Sequence, residues 1–302
     1  MVAARLLLCS WALAAPKTMG ASERCGTAKY ESIGDGIGGS LSPKLSTSTI
    51  RPVVTENIVG NGWALRHTGA MLNTNEFGQP VGNDLGGWVP PPMIPDVVLN
   101  GKYVRLRPLI IEDAESIHAV LAQARSDLWT YMPFGPFHSI DDASEYFRYM
   151  LDQSDWRPYV IEVDGLVQGF KSYLRINPPD GVVEIGSIVF SPQLQRTAAA
   201  TESVYLMMRH AFDSGYRRVE WKCDSLHRVS RNAAKRLGFR YEGTFVNATH
   251  YKGRSRDTAW FAVTADEWPG RLQRLEAWLD PANFDQDGNQ LRSLSTLGEP
   301  EH

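Results

Sequence analysis

The sequence predicts an α/β fold: a mixed, mostly antiparallel central sheet with helices on both faces. Three observations predict it. Gly186 through Cys223 reads as strand, short polar turn, helix and strand, which is the order of a parallel crossover. Asp164-Gly165 sits between two strand-like runs and signals a two-residue hairpin. Two late strands, Arg240 to Val246 and Thr258 to Val263, pair after the last central helix.

The compact domain begins near Val97 and runs to about residue 280. Gly101 to Arg107 alternates, with Tyr103, Arg105 and Arg107 on one face and Val104 and Leu106 on the other, as a strand does. Ile111-Glu112-Asp113-Ala114-Glu115 opens a helix with acids in its first turn, and Ile117, Val120 and Leu121 form its apolar stripe. Ser139 is an N-cap for a second helix that turns Tyr146, Met150 and Leu151 inward. Strands follow at Tyr159 to Val163, Val167 to Arg175 and, after the turn Asn177 to Gly181, Val182 to Phe190. A helix from about Ala198 to Ser214 buries Val204, Met207, Met208, Ala211 and Phe212 and stops at Gly215. The strand Arg218 to Cys223 precedes a helix from Leu226 to Leu237 that Gly238 closes, and a last helix covers Trp268 to Leu279.

Outside this core the composition changes. Residues 1–70 are rich in Gly, Ser and Thr, and Gly34 to Ser48 holds too little apolar surface to offset its ordering entropy, so disorder is expected. Leu6 to Ala15 follows Arg5 and resembles a secretory apolar segment, while the lack of acids before Glu23 also suits a mitochondrial presequence. An inconsequential extension, with Met71 as the working start, is the alternative, and a cytoplasmic location goes with it. Residues 71–96 form an extended Pro/Gly-rich arm, in which Trp88 and Val89 are expected to anchor the chain. Residues 281–302 are polar and expected to be a flexible tail.

The whole chain has 302 residues, 43% apolar and 22% charged, an ordinary composition for a globular protein. A net charge of −3 gives no pull toward nucleic acid or acidic membranes, and no apolar run spans a bilayer. Of three cysteines, Cys223 lies on a strand as a buried, inert thiol; Cys9 and Cys25 complete no CxxC or Cys/His spacing. The seven histidines make no HExxH pattern, so no metal site is indicated.

The turn Ser191 to Thr197, fed by a strand and leading into a helix, forms a ring of backbone N–H groups with the helix dipole behind it. Such a ring favours an anion, most often a phosphate. The element order, together with three sequence blocks, resembles the GNAT superfamily of N-acetyltransferases. The blocks are Leu106-Arg107-Pro108-Leu109, Glu184-Ile185-Gly186 leading to Gln195 through Glu202, and Ser230 through Phe239. The likeness covers Asn75 to Pro269 and is nearest the branch resembling ribosomal-protein N-terminal (alanine/serine) acetyltransferases.

The resemblance implies the GNAT-type acyl-CoA N-acyltransferase fold, acetyl-CoA as co-substrate, and no metal. It implies that Gln195, Arg196, Thr197, Ala198, Ala200 and Thr201 cradle the diphosphate, with Ala198 where the family has glycine. Arg196 either bonds a phosphate or is a solvated charge. Backbone groups of Ile188 and Phe190 would hold the pantetheine arm and polarise the thioester where a bulged strand splays from its neighbour. His227 stands where the branch has asparagine and offers both a donor and an acceptor to pantetheine; a surface histidine at a helix start is the alternative.

By the same resemblance, Glu184 is the general base and Ser230 donates to the leaving sulfur. An apolar surround would make Glu184 a better base; facing solvent or pairing with an arginine is the competing reading, and Asp224 is the reserve, with a helix N-cap as its alternative role. The acceptor, a small-molecule amine or a protein N-terminus, would meet Trp129, Tyr131 and Phe134, which are otherwise core. The turn from Tyr251 to Arg254, with Arg256 and Asp257, would rim the same pocket or simply carry solvated charge. A monomer or homodimer is expected. The competing function is a non-catalytic acyl-CoA-binding or interaction module, which the departures at Ala198 and His227 favour.

Overall fold

The computed structural model describes residues 73–297. The expected disordered or targeting extension and residues 298–302 lie outside the described residues.

A small hairpin, β1 (Asn73–Thr74) and β2 (Pro80–Val81), leads through the arm to the main sheet. The strands of that sheet are β3 (Leu99–Asn100), β4 (Arg105–Pro108), β5 (Arg157–Val163), β6 (Leu166–Asn177), β7 (Val182–Phe190), β8 (Arg218–Asp224), β9 (Arg240–Tyr251) and β10 (Arg254–Thr264). Their order is β3-β4-β5-β6-β7-β8-β10-β9, and every neighbouring pair is antiparallel except β7 with β8. Five α-helices complete the described fold: α1 (Asp113–Leu121), α2 (Ile140–Leu151), α3 (Ala198–Asp213), α4 (Arg228–Leu237) and α5 (Trp268–Trp278).

The turns follow from local chemistry. Asp164 and Gly165 both take positive φ, +50° and +77°, so β5 and β6 meet in the tight turn their sequence signals. Ser139 caps α2: its hydroxyl accepts from the Asp142 N–H, and the Asp142 carboxylate accepts from the Ser139 N–H in return. The inward face of α2 is Ala143, Phe147 and Met150; Leu151, expected inward, is 42% exposed because it falls off the stripe those residues define.

Alternation along the strands sorts the core into two layers. Tyr159, Ile161, Val183, Ile185, Val219, Trp221 and Cys223 pack with α3, α4 and α5. Val160, Phe170 and Val189 point the other way, into α1 and α2. On that second face α1 contacts β6 and α2 contacts β5, whereas β8 and β10 turn Glu220, which is buried, and Lys222 and Trp260, which are half-buried, to the same side.

Two segments differ from expectation. In the arm, Trp88 anchors as expected: its Nε1 donates to the Gly215 carbonyl at 3.3 Å, and its ring lies so close to Gly181 that a Cβ there would meet it at 2.6 Å. Val89 is 76% exposed, and Pro91 and Ile94 are the buried partners instead, because prolines hold the chain in an extended helix of three residues per turn that presents every third residue to the domain. Beyond α5 the chain is packed, not loose. Asn283 donates to the carbonyls of Trp278 and Arg292, Phe284 packs edge-on against Trp278 and Tyr103, and Leu294 and Leu297 are buried. These apolar residues are too widely spaced in polar sequence to register as a period.

One core residue is out of keeping with its surroundings. Lys171 is fully buried, with its Nζ 2.5 Å from Ser203 Oγ on α3 and 5.2 Å from the Phe190 ring centre. Burial pushes its ammonium well below the ordinary lysine value. Charging it therefore opposes folding: the cost is full below the folded-state pKa and gone above the unfolded one, near 10. Lys171→Met is expected to raise Tm at pH 6 to 7 by several degrees, with the gain shrinking as pH approaches about 10. Thermal melts of both proteins across that range check it; a lower Tm for the variant throughout would contradict the account.

Candidate active site

The site lies where the sheet opens. β7 and β8 pair in parallel only at Val182, Val183 and Glu184 against Arg218, Val219 and Glu220. Beyond that step the two strands part, leaving the β8-facing edge of β7 from Ile185 to Phe190 without a ladder partner among the described residues. A bulge drives the separation. Phe170 faces Val189, but Ser172 faces Gly186, so β7 advances three residues for two on β6. Within it Ser187 takes φ +49°, and its hydroxyl lies 3.2 Å from Tyr146 Oη on α2. Ile188 and Phe190, both half-buried, flank the opening.

At the end of β7 the chain turns into α3. Leu194 N–H and Gln195 N–H bond back to Ser191, Thr197 N–H bonds to the Leu194 carbonyl, and the Gln195 side chain donates to the Phe190 carbonyl. Thr197 caps the helix, its hydroxyl accepting from Ala200 N–H at 3.1 Å, and Thr201 N–H bonds to the Thr197 carbonyl. The expected cradle is thereby narrowed. Gln195, Thr197, Ala200 and Thr201 are spent on the turn itself. Among the described residues no hydrogen bond uses the N–H of Arg196, Ala198 or Ala199. Arg196, exposed and at φ +66°, makes no ion pair among them either. Three free amides at the start of a 16-residue helix, one beside a free guanidinium, suit a diphosphate.

Glu184 is 4% exposed and stands at the last paired step before the opening. Of the readings left open for its surround, the structure has pairing with an arginine: Oε2 accepts from Arg175 Nε at 2.8 Å and forms an ion pair with Lys222 Nζ at 2.9 Å. The network continues from Arg175 to Glu220, from Glu220 to Arg218 at 2.8 Å, and on to Glu242. Oε1 has no partner among the described residues; it lies 3.2 Å from where a Cβ on Gly186 would sit, so the bare glycine leaves space beside it.

Ser230, in the first turn of α4, accepts from Trp221 Nε1 at 3.0 Å, so its O–H acts as a donor. It also neighbours Cys223, whose thiol burial pushes up, as befits an inert cysteine. His227, just before α4, stacks on Tyr131 with ring centres 4.6 Å apart. Burial holds its imidazole below the ordinary histidine value and Arg256 lowers it further, against the upward pull of Asp224. Asp224 accepts from Leu226 N–H and from Tyr251 O–H at 2.7 Å. Those bonds leave it a poor reserve base.

The acceptor-side aromatics divide. Trp129 is core, 4% exposed and packed on Phe134 and Phe137, because only burial can accommodate so large a ring beside α1 and α2. Phe134 stacks on Tyr146 at 3.9 Å, and Tyr131 reaches His227. Lys252, at the tip of the β9–β10 hairpin, donates to the carbonyls of Trp129 and Phe134, so hairpin and loop meet as expected. Sequence reasoning missed Ser187, Tyr146 and Lys222; a Gly-Ser pair entering an apolar strand was the available sign of the bulge. Among the described residues no cluster of His, Cys, Asp or Glu is placed to hold a metal ion, and no helix is long and apolar enough to cross a membrane.

Residues 104–240 match the family described as "Acetyltransferase (GNAT) domain". The chain is 37% identical to a GCN5-related N-acetyltransferase from Brucella melitensis, over 70% of this chain and 99% of that one, with a TM-score of 0.68. It is 36% identical to a protein from Chromobacterium violaceum ATCC 12472 described as a probable acetyltransferase (GNAT family), over 63% and 98% of the two chains, with a TM-score of 0.61. A Salmonella typhimurium acetyltransferase that modifies the N-terminal serine of a 50S ribosomal subunit protein shares the fold at 18% identity, over 56% and 99%, with a TM-score of 0.50. No curated protein matches the sequence.

Proposed function

The chain belongs to the GNAT superfamily of N-acetyltransferases, and on that premise we propose that it moves the acetyl group of acetyl-CoA to a primary amine, in a small molecule or at a protein N-terminus, by direct attack. The observation that carries this reading is the parting of β7 from β8 immediately beside the free amides of α3. Acetyl-CoA supplies the activated acyl group as a thioester. Arg196, Ala198 and Ala199 N–H groups and the α3 dipole hold its diphosphate, and the unpaired edge at Ile188 and Phe190 aligns the pantetheine arm.

An amine near pH 7 is mostly protonated. Glu184 Oε1 takes one proton, directly or through water, while Arg175 and Lys222 fix the carboxylate through Oε2. The nitrogen then bonds to the acyl carbon as the carbon–sulfur bond breaks, and its second proton ends on the sulfur. Ser230 O–H donates to that departing sulfur, its oxygen held by Trp221.

Ala198→Pro tests the cradle. Ala198 is the first helical residue and Thr197 before it is extended, with φ −92° and ψ 166°, so proline fits and removes one free N–H. Calorimetric titration of the full chain is expected to show acetyl-CoA affinity about tenfold weaker, with Tm unchanged or slightly higher. Unchanged affinity would remove the diphosphate from this turn.

A further inference from the structure

We propose that the acceptor carries an anionic group, a carboxylate in the first instance, which binds a cavity on the face of the sheet beside Glu184. The inference rests on the amine-acetyltransferase reading above and names the class of its acceptor.

The cavity has a volume of about 340 Å³, and Lys222, Phe245, Arg256, Thr258 and Trp260 form its working walls. Lys222 ties it to the proton acceptor, because the same ammonium that lines it bonds Glu184 at 2.9 Å. Its aromatic wall is Trp260 with Phe245, ring centres 5.0 Å apart. The Trp260 ring is flanked by two cations, Lys222 at 4.8 Å and Arg175 at 5.0 Å.

Two donors at this cavity are buried without a hydrogen-bond partner, Arg256 Nε and Trp260 Nε1. Arg256 makes no ion pair among the described residues; its guanidinium lies 5.9 Å from the centre of the Tyr251 ring. Desolvating such donors without an acceptor is costly, so they point to something that binds there. The nearby carboxylates cannot supply it. Glu184 is held by Arg175 and Lys222, Asp224 by Leu226 and Tyr251, and Asp257 accepts from Asn247 N–H. Lysine, arginine and an indole N–H facing one cavity match a carboxylate and repel a second ammonium. Polyamine-like acceptors are thereby disfavoured.

The test uses ω-amino carboxylates with two to six methylenes, each with its terminal amide and the corresponding diamine. Thiol release with acetyl-CoA gives kcat/KM, and calorimetry of the full chain with the same carboxylates gives binding without turnover. The expected result is at least tenfold higher kcat/KM for one or more carboxylates over the matched amide, with the diamine lowest. Arg256→Gln should erase most of that preference, acting on KM for the carboxylates. Amides or diamines equal to the carboxylates, or a preference untouched by Arg256→Gln, would overturn the proposal. So would the absence of carboxylate binding in calorimetry, even with no turnover. Failure of acetyl-CoA itself to bind would instead strike the functional reading.

Discussion

Glu184→Gln is expected to lower kcat by about 10²- to 10³-fold while acetyl-CoA affinity stays within about threefold of wild type. Glutamine keeps the length and one carbonyl oxygen to accept from Arg175 and Lys222, so the geometry at Oε2 survives. It cannot take a proton. Some stability is lost because Lys222 is left without its anion. Arg175 keeps Glu220, and its exposure to solvent screens the loss. The distinguishing readout is pH. A base is needed only while the acceptor is an ammonium, so the deficit should shrink as pH rises toward the acceptor's own pKa. Steady-state rates with a fixed amine between pH 7 and about 10 measure it. A deficit that is constant over that range would make Glu184 an anchor for Lys222 and place proton removal elsewhere.

The parts of this site legible in the sequence are those that depend on near neighbours. The strand, polar turn and capped helix around Thr197 are adjacent in the chain, and their chemistry is local. Ser139 with Asp142 and Asp164-Gly165 are legible for the same reason. The opening between β7 and β8 is not local. It depends on which residue of β8 lies opposite Glu184, and the polar bulge at Ser187 resolves only once β6 is in register. The ion pairs on Glu184 come from Arg175 and Lys222, on two other strands, and no pattern within β7 announces them.

Aromatic content alone did not separate Trp129, which is core, from Tyr131, which reaches His227. The late hairpin runs from Arg240 to Thr264, well past the expected Val246 on one side. Residues 245–250 are exposed, so they carry no buried face for a period-two pattern to report. Arg256 lies opposite Thr249 and Trp260 opposite Gly243 across this hairpin, so the cavity depends on a strand register that the chain does not announce.

The other large effect concerns what holds the site's helix in place. Glu202, one turn into α3 and 3% exposed, accepts from three successive backbone N–H groups: Lys102 at 2.8 Å, Tyr103 at 2.6 Å and Val104 at 3.1 Å. It thereby fastens the entry to β4 onto the helix whose first amides form the cradle. Gly101 is needed for the approach, since a Cβ there would meet the carboxylate at 2.3 Å. Glu202→Ala strips the acceptor from all three donors, and bonds to a charged group are individually worth about 1.5–3 kcal/mol. The donors regain water only in part, so the expected loss is about 3–5 kcal/mol, or a Tm lower by roughly 10 °C or more. Glu202→Gln should lose nearly as much, because one amide oxygen cannot serve three donors and its NH₂ faces one of them. Because α3 shifts when the clamp fails, acetyl-CoA affinity should fall with stability in both variants, in contrast to Ala198→Pro, where affinity alone falls. Chemical denaturation and calorimetry on the same samples separate the two patterns; a Glu202→Gln protein as stable as wild type would show that the three bonds contribute little.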